Sequence, residues 1–158
     1  MRKIIYTAAD GAVHVVTPNP RDALFVGLSE AQVEKAVMAA LMRDRDNPAS
    51  LAFGGSEPTW VEEDLVPTER SFRDAWKIEG DKIEHDMGKA REITKARLRD
   101  EREPLLADLD VQFMRALEAG GDTTAIATEK KWLRDVTALA DTATTVDDLR
   151  LIKASKSE

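Results

Sequence analysis

The chain is 158 residues long with a net charge of −7, and 42% of it is hydrophobic against 34% charged. That is too apolar for a disordered chain, long enough to bury a core without staples, and more charged than the roughly 25% usual in globular proteins, an excess that suits exposed helices. Acids and bases alternate along the chain and leave no basic stripe for phosphate backbones, which argues against a nucleic-acid partner. With no cysteine, disulfide scaffolds, thiol catalysis and cysteine zinc sites are excluded.

The opening "MRKIIYTAADG" turns polar after three apolar residues, too early for a signal segment, and no run reaches the roughly 18 apolar residues of a membrane span. The chain therefore reads as soluble and cytoplasmic, with no membrane partner. Residues 3 to 18 predict a β-hairpin: Ile4, Ile5 and Tyr6 on one arm, Val13, Val15 and Val16 on the other, and Asp10-Gly11 at the turn. Pro18 and Pro20 end the second arm, since proline cannot donate to a ladder.

A helix follows in "LSEAQVEKAVMAALMRD". Ser29 and Gln32 have capping-box spacing, Leu28 and Val33 that of a hydrophobic staple, and Val33, Ala36, Val37, Ala40 and Leu41 form an apolar stripe expected to lie on the hairpin. Asn47-Pro48 closes this helix, and the loop after it contains Gly54-Gly55. "TWVEEDLV", residues 59 to 66, supplies a third strand, so that residues 1–66 make a small α+β head with a thin core.

From residue 67 to 158 the pattern becomes mainly helical. Thr68 can cap "ERSFRDAWKIEG", in which Phe72, Ala75 and Trp76 share a helical face and Gly80 ends the run; "DKIEH" then reads as an extended link. The longest helix is expected over about 87–119, with Ala90, Ile93, Leu98, Leu105, Leu109, Phe113 and Leu117 on its buried side. Pro104 should kink or break it, because proline lacks an amide proton and clashes with the carbonyl of Asp100. Gly120-Gly121-Asp122 is a stop followed by a start, so a helix over about 123–139 runs back antiparallel, with Ile126, Leu133, Val136 and Ala140 inward and Trp132 and Leu139 on its edge. Thr145 and Asp148 cap a short final helix presenting Leu149 and Ile152. The fold class is thus α+β: a hairpin-plus-helix head, then a mainly α-helical half built on an antiparallel helical hairpin.

Catalytic chemistry is not signposted. His14 and His85 lie far apart in sequence with no third ligand beside them, and Asp108 and Asp110 point about 200° apart on a helix, so no metal site is expected. Most carboxylates sit within four residues of Lys or Arg, as Glu92 does with Lys95, which is the pattern of solvated helix pairs. No glycine-rich phosphate loop or nucleophile elbow occurs, and no cofactor is expected. The tryptophans Trp60, Trp76 and Trp132 stand beside charges, as amphipathic rings at interfaces do. Candidate partner-binding residues are accordingly Phe72, Trp76, Trp132, Arg134 and Asp135.

"REPLLADLDVQFMRAL", followed after Gly-Gly-Asp by "TEKKWLRDVT", resembles the C-terminal segment of bacteriophage tail assembly chaperones. The positions carrying the likeness are Arg102, Leu105, Leu106 and Asp110 in the first helix and Leu133, Arg134, Asp135 and Val136 in the second. "KIIYTAADG", "RSFRDAW" and "DMGKAREI" are similar in layout to small proteins encoded beside phage tail-fibre genes. Glu129-Lys130 stands where that family has Tyr-Arg. The resemblance implies a non-enzymatic helper in the host cytoplasm that holds a tail or tail-fibre polypeptide during virion assembly. Alternatives are a structural part of the virion, present in several copies as a homo-oligomer, and a hydrolase of cell-wall glycan, which would need two converging carboxylates.

Overall fold

A computed structural model describes residues 2–19, 21–45 and 57–155. The expectations at Pro20, Asn47-Pro48 and Gly54-Gly55 lie outside them. The class is α+β, and the chain divides into two units, Met1–Asp86 and Met87–Glu158.

In the first unit β1 (Lys3–Thr7) and β2 (Val13–Val16) form the antiparallel hairpin, with Ile5 opposite Val15 and Tyr6 opposite His14. Gly11 takes φ 82 in the turn, and Asp10 Oδ1 accepts the Ala12 amide at 2.9 Å, so the Asp-Gly step does what its chemistry allows. The imidazole of His14 stacks on the Tyr6 ring across the strands, 5.2 Å between centroids. After α1 (Glu30–Arg45), β3 (Thr59–Val61) pairs antiparallel with the free side of β1, giving the order β2-β1-β3. At the start of α1 the Gln32 side chain accepts the Ser29 amide at 2.8 Å, but the Ser29 hydroxyl donates to that same side chain instead of capping the helix. Of the expected stripe Val33 is buried, Ala36, Val37 and Leu41 are half-buried and Ala40 is exposed; Leu28 is 41% exposed, so the staple is open.

Residues 69–85 are not a helix and a link. A short 3₁₀ turn over Arg73–Ala75 leads into a second hairpin, β4 (Trp76–Glu79) and β5 (Lys82–His85), turning at Gly80 with φ 66. Its inward side chains Trp76 and Ile83 join Ile5, Val13, Val61 and Val66 in one core. The head therefore extends past residue 66 to Asp86, and the second hairpin thickens a core that three strands would leave thin.

In the second unit α2 (Met87–Glu118) runs 32 residues and continues through Pro104. Pro104 and Asp100 are both exposed, so the carbonyl that loses its amide partner can turn to water. The return path is α3 (Thr124–Asp135), a 3₁₀ turn over Val136–Ala138, α4 (Leu139–Thr142) and α5 (Val146–Leu151). Leu98, Leu109, Leu133, Val136 and Ala154 form the core, flanked by Leu106, Ile126, Trp132 and Ile152. Of the side expected to be buried on α2, Ala90, Leu98 and Leu109 are buried, Ile93 and Phe113 half-buried, and Leu105 and Leu117 exposed.

Arginines of α2 meet the carbonyls that helix ends leave without an intrahelical donor. Arg91 Nη2 donates to Ala143 O at 2.9 Å, just past α4. Arg97 Nη2 donates to Leu149 O at 3.2 Å and Ile152 O at 2.6 Å, at the end of α5. Each side chain thus ties a returning helix to α2 through charge-assisted hydrogen bonds. Arg97→Ala should cost about 1–2 kcal/mol and appear as faster hydrogen exchange in α5; unchanged α5 protection would show that burial of Leu149 alone holds the helix.

The capping box that opens α5 is complete: Thr145 Oγ1 accepts the Asp148 amide while Asp148 accepts the Thr145 amide. Hydrogen bonds from Thr145 first, then Thr144, hold the Asp148 carboxyl below the ordinary value of 3.8. A carboxylate depressed on folding stabilises fully above its unfolded pKa and loses that contribution as pH falls through the folded value. The start of α5 should therefore loosen as the pH drops below roughly 4, read from the Thr144 and Thr145 amide shifts, and Asp148→Asn should abolish that titration.

Candidate functional site

The helical-hairpin positions that carry the resemblance are brought together, largely as scaffold. Arg102 Nη1 reaches Arg134 O at 2.7 Å and Leu133 O at 3.4 Å in the last turn of α3. Leu133 and Val136 pack in the core, with Leu106 at its flank. Asp110 forms an ion pair with Lys130, whose ammonium also lies 4.9 Å from the centre of the Phe113 ring. The spacing of these residues is what an antiparallel α2–α3 pair needs to lock its register.

Beside this scaffold lies a groove of about 320 Å³ between α2, α3 and the chain around Ala154. Leu105, Leu109, Leu133 and Trp132 line its apolar part, and Asp108, Gln112 and Glu129 line its polar part. Leu105 is 41% exposed, and Trp132 is half-buried against the core. Asp108 accepts from Gln112 Nε2 at 2.7 Å, one turn further along α2. Elsewhere in this unit, Lys95 is held above the usual lysine range chiefly by Asp141 and then by Glu92, both exposed pairs that brace the surface.

The residues singled out from sequence separate. Trp132 lies at the groove. Arg134 and Asp135 are exposed at the end of α3 but do not line it. Phe72 and Trp76 are 5% and 2% exposed, so as partner-binding residues they are a correction: they are core, Trp76 among the strands of the first unit. Leu105, Asp108 and Glu129 were missed. Glu129 stands three residues before Trp132 on one helical face, and Leu105, Asp108 and Gln112 follow each other at helical spacing, so a face-by-face reading of both helices could have found them.

A second groove, of about 480 Å³, lies in the first unit between α1 and β3, walled by Met38, Met42 and Trp60. Of its charged lining residues, Arg2 pairs with Glu34 and sits 5.1 Å from the centre of a Trp60 ring, and Lys35 adds a second cation. Among the described residues no group of three histidine, aspartate or glutamate side chains is placed to hold a metal ion, and no helix is long and apolar enough to cross a membrane. Comparison with protein-family models, with curated proteins and with solved structures finds no match for the chain.

Proposed function

We propose that the chain is a non-enzymatic bacteriophage tail-module protein that binds a tail or tail-fibre polypeptide in the host cytoplasm during virion assembly, as a chaperone or adaptor. The tail biology rests on the resemblance at Arg102, Leu105, Leu106, Asp110 and Leu133–Val136. Binding as the mode of action rests on one observation, the groove with Leu105 and Trp132 at its surface, mounted on a hairpin already braced by Arg102 and by the Asp110–Lys130 pair. A prebuilt surface of this kind asks little ordering entropy of its own side when a partner docks. Among the described residues, the carboxyls of Glu63, Glu79, Asp122 and Asp148 are held below their ordinary values by lysine or threonine hydrogen bonds, opposite to the shift that suits a general acid near neutral pH.

A second reading, a structural component of the virion, is favoured by Val111, Met114 and Leu117. They lie at successive three-residue steps along α2 and are 48%, 53% and 56% exposed, a ridge that copies of the chain can bury against each other. Mass spectrometry of purified particles of the encoding phage separates the two readings. The chaperone is expected to be absent from particles and to co-purify with a tail or fibre polypeptide from infected cells. A fixed copy number in particles supports the structural reading, and absence from both contradicts the tail assignment.

A further inference from the structure

The polar edge of the α2–α3 groove carries charge of one sign. Asp108 stands on α2 and Glu129 on α3, and both are exposed. Among the described residues neither has a cation within ion-pair distance, and the neighbouring ammonium, Lys130, is committed to Asp110 and the Phe113 ring. Gln112 engages one oxygen of Asp108 and leaves the other free to accept. The same groove is lined by the apolar side chains Leu105, Leu109, Leu133 and Trp132, with Leu105 the most exposed of them.

We infer that this groove takes a short segment of a partner polypeptide in which a large apolar side chain is flanked by lysine or arginine. The apolar side chain covers Leu105 and Leu109 beside Trp132, and the cation answers Asp108 and Glu129. An acidic segment would bring like charge to the carboxylates and be rejected, so the groove selects by charge as well as by shape. The inference rests on the protein-binding reading above and names the chemistry of what is bound.

The test is selection from a random peptide library against the full-length chain, followed by binding of resynthesised peptides to the wild type and to an Asp108→Asn, Glu129→Gln double variant. Both substitutions are near-isosteric and at exposed positions, so the fold should survive them; thermal unfolding checks this. Selected peptides are expected to place Lys or Arg next to Leu, Ile, Phe or Trp. They should bind the double variant on the order of tenfold more weakly and lose affinity as salt rises. Leu105→Lys, which puts a cation into the groove, should abolish binding. Enrichment of acidic or uncharged peptides, or binding indifferent to both changes, overturns the inference. So does binding that requires removal of the residues after Ser155, or competition by a second copy of the chain, since either would name another occupant. If such peptides bind through the groove but no tail polypeptide is found with the chain in infected cells, the tail assignment fails and the groove assignment stands.

Discussion

Trp76→Ala is expected to unfold the first unit or nearly so. Deleting a core tryptophan costs about 3–5 kcal/mol, against total stabilities of about 5–15 kcal/mol for whole domains. Trp76 is 2% exposed and packs with Ile5, Val13, Val61, Val66 and Ile83, so its loss opens a cavity where both hairpins meet. One term runs the other way: the indole Nε1 is buried with no hydrogen-bond partner among the described residues. An orphaned buried donor costs about 1–3 kcal/mol, and truncation relieves it. Trp76→Phe, which removes that donor and keeps most of the ring, should therefore be much milder than Trp76→Ala. Hydrogen exchange of the β1 and β4 amides reads the effect within this unit, which matters because a chain of two units need not unfold in one step. Near-native protection in Trp76→Ala would mean that the second hairpin does not hold the head together.

Pro104→Ala is expected to stabilise the second unit by about 2 kcal/mol. Proline in a helix interior costs about 3 kcal/mol relative to alanine, and the greater freedom alanine gives the unfolded chain returns roughly 0.4–1 kcal/mol of that. The substitution supplies an amide donor to Asp100 O without disturbing a packed side chain, because Pro104 is exposed and α2 already runs through it. The check is slower hydrogen exchange along α2 together with a higher melting temperature. A lower melting temperature would show instead that the proline sets a bend in α2 on which the returning helices depend.

Features decided by neighbouring residues were legible in the sequence. The Asp10-Gly11 turn, the Thr145–Asp148 capping box and the glycine stop before α3 each use a side chain or a positive φ within a few residues. Residues 69–85 were not legible, because two local patterns compete there. Phe72, Ala75 and Trp76 share a helical face, while Trp76, Ile78, Ile83 and His85 fit strand alternation, and Gly80 suits a helix stop as well as a hairpin turn. What decides is burial of Trp76 and Ile83 against strands far away in sequence, a tertiary gain that outweighs propensity. Pro104 shows the converse, a strong local penalty absorbed by a long helix at an exposed position. At the site, Trp132 could be picked out as an edge residue, but its companions Leu105, Asp108 and Glu129 are divided between two helices. Their meeting depends on the α2–α3 register that Arg102 and Asp110 set.

On the proposed reading Trp132 is a contact edge laid on a scaffold that stands without it. Trp132→Ala followed by chemical denaturation, with hydrogen exchange of α2 and α3 as the readout, tests this most directly. A half-buried ring at the flank of the core should cost about 1 kcal/mol, a fraction of what full burial supplies, and leave α2–α3 protection nearly intact. A loss of about 3–5 kcal/mol, the cost of removing a core tryptophan, would instead make Trp132 part of the scaffold, with no binding edge left at the groove.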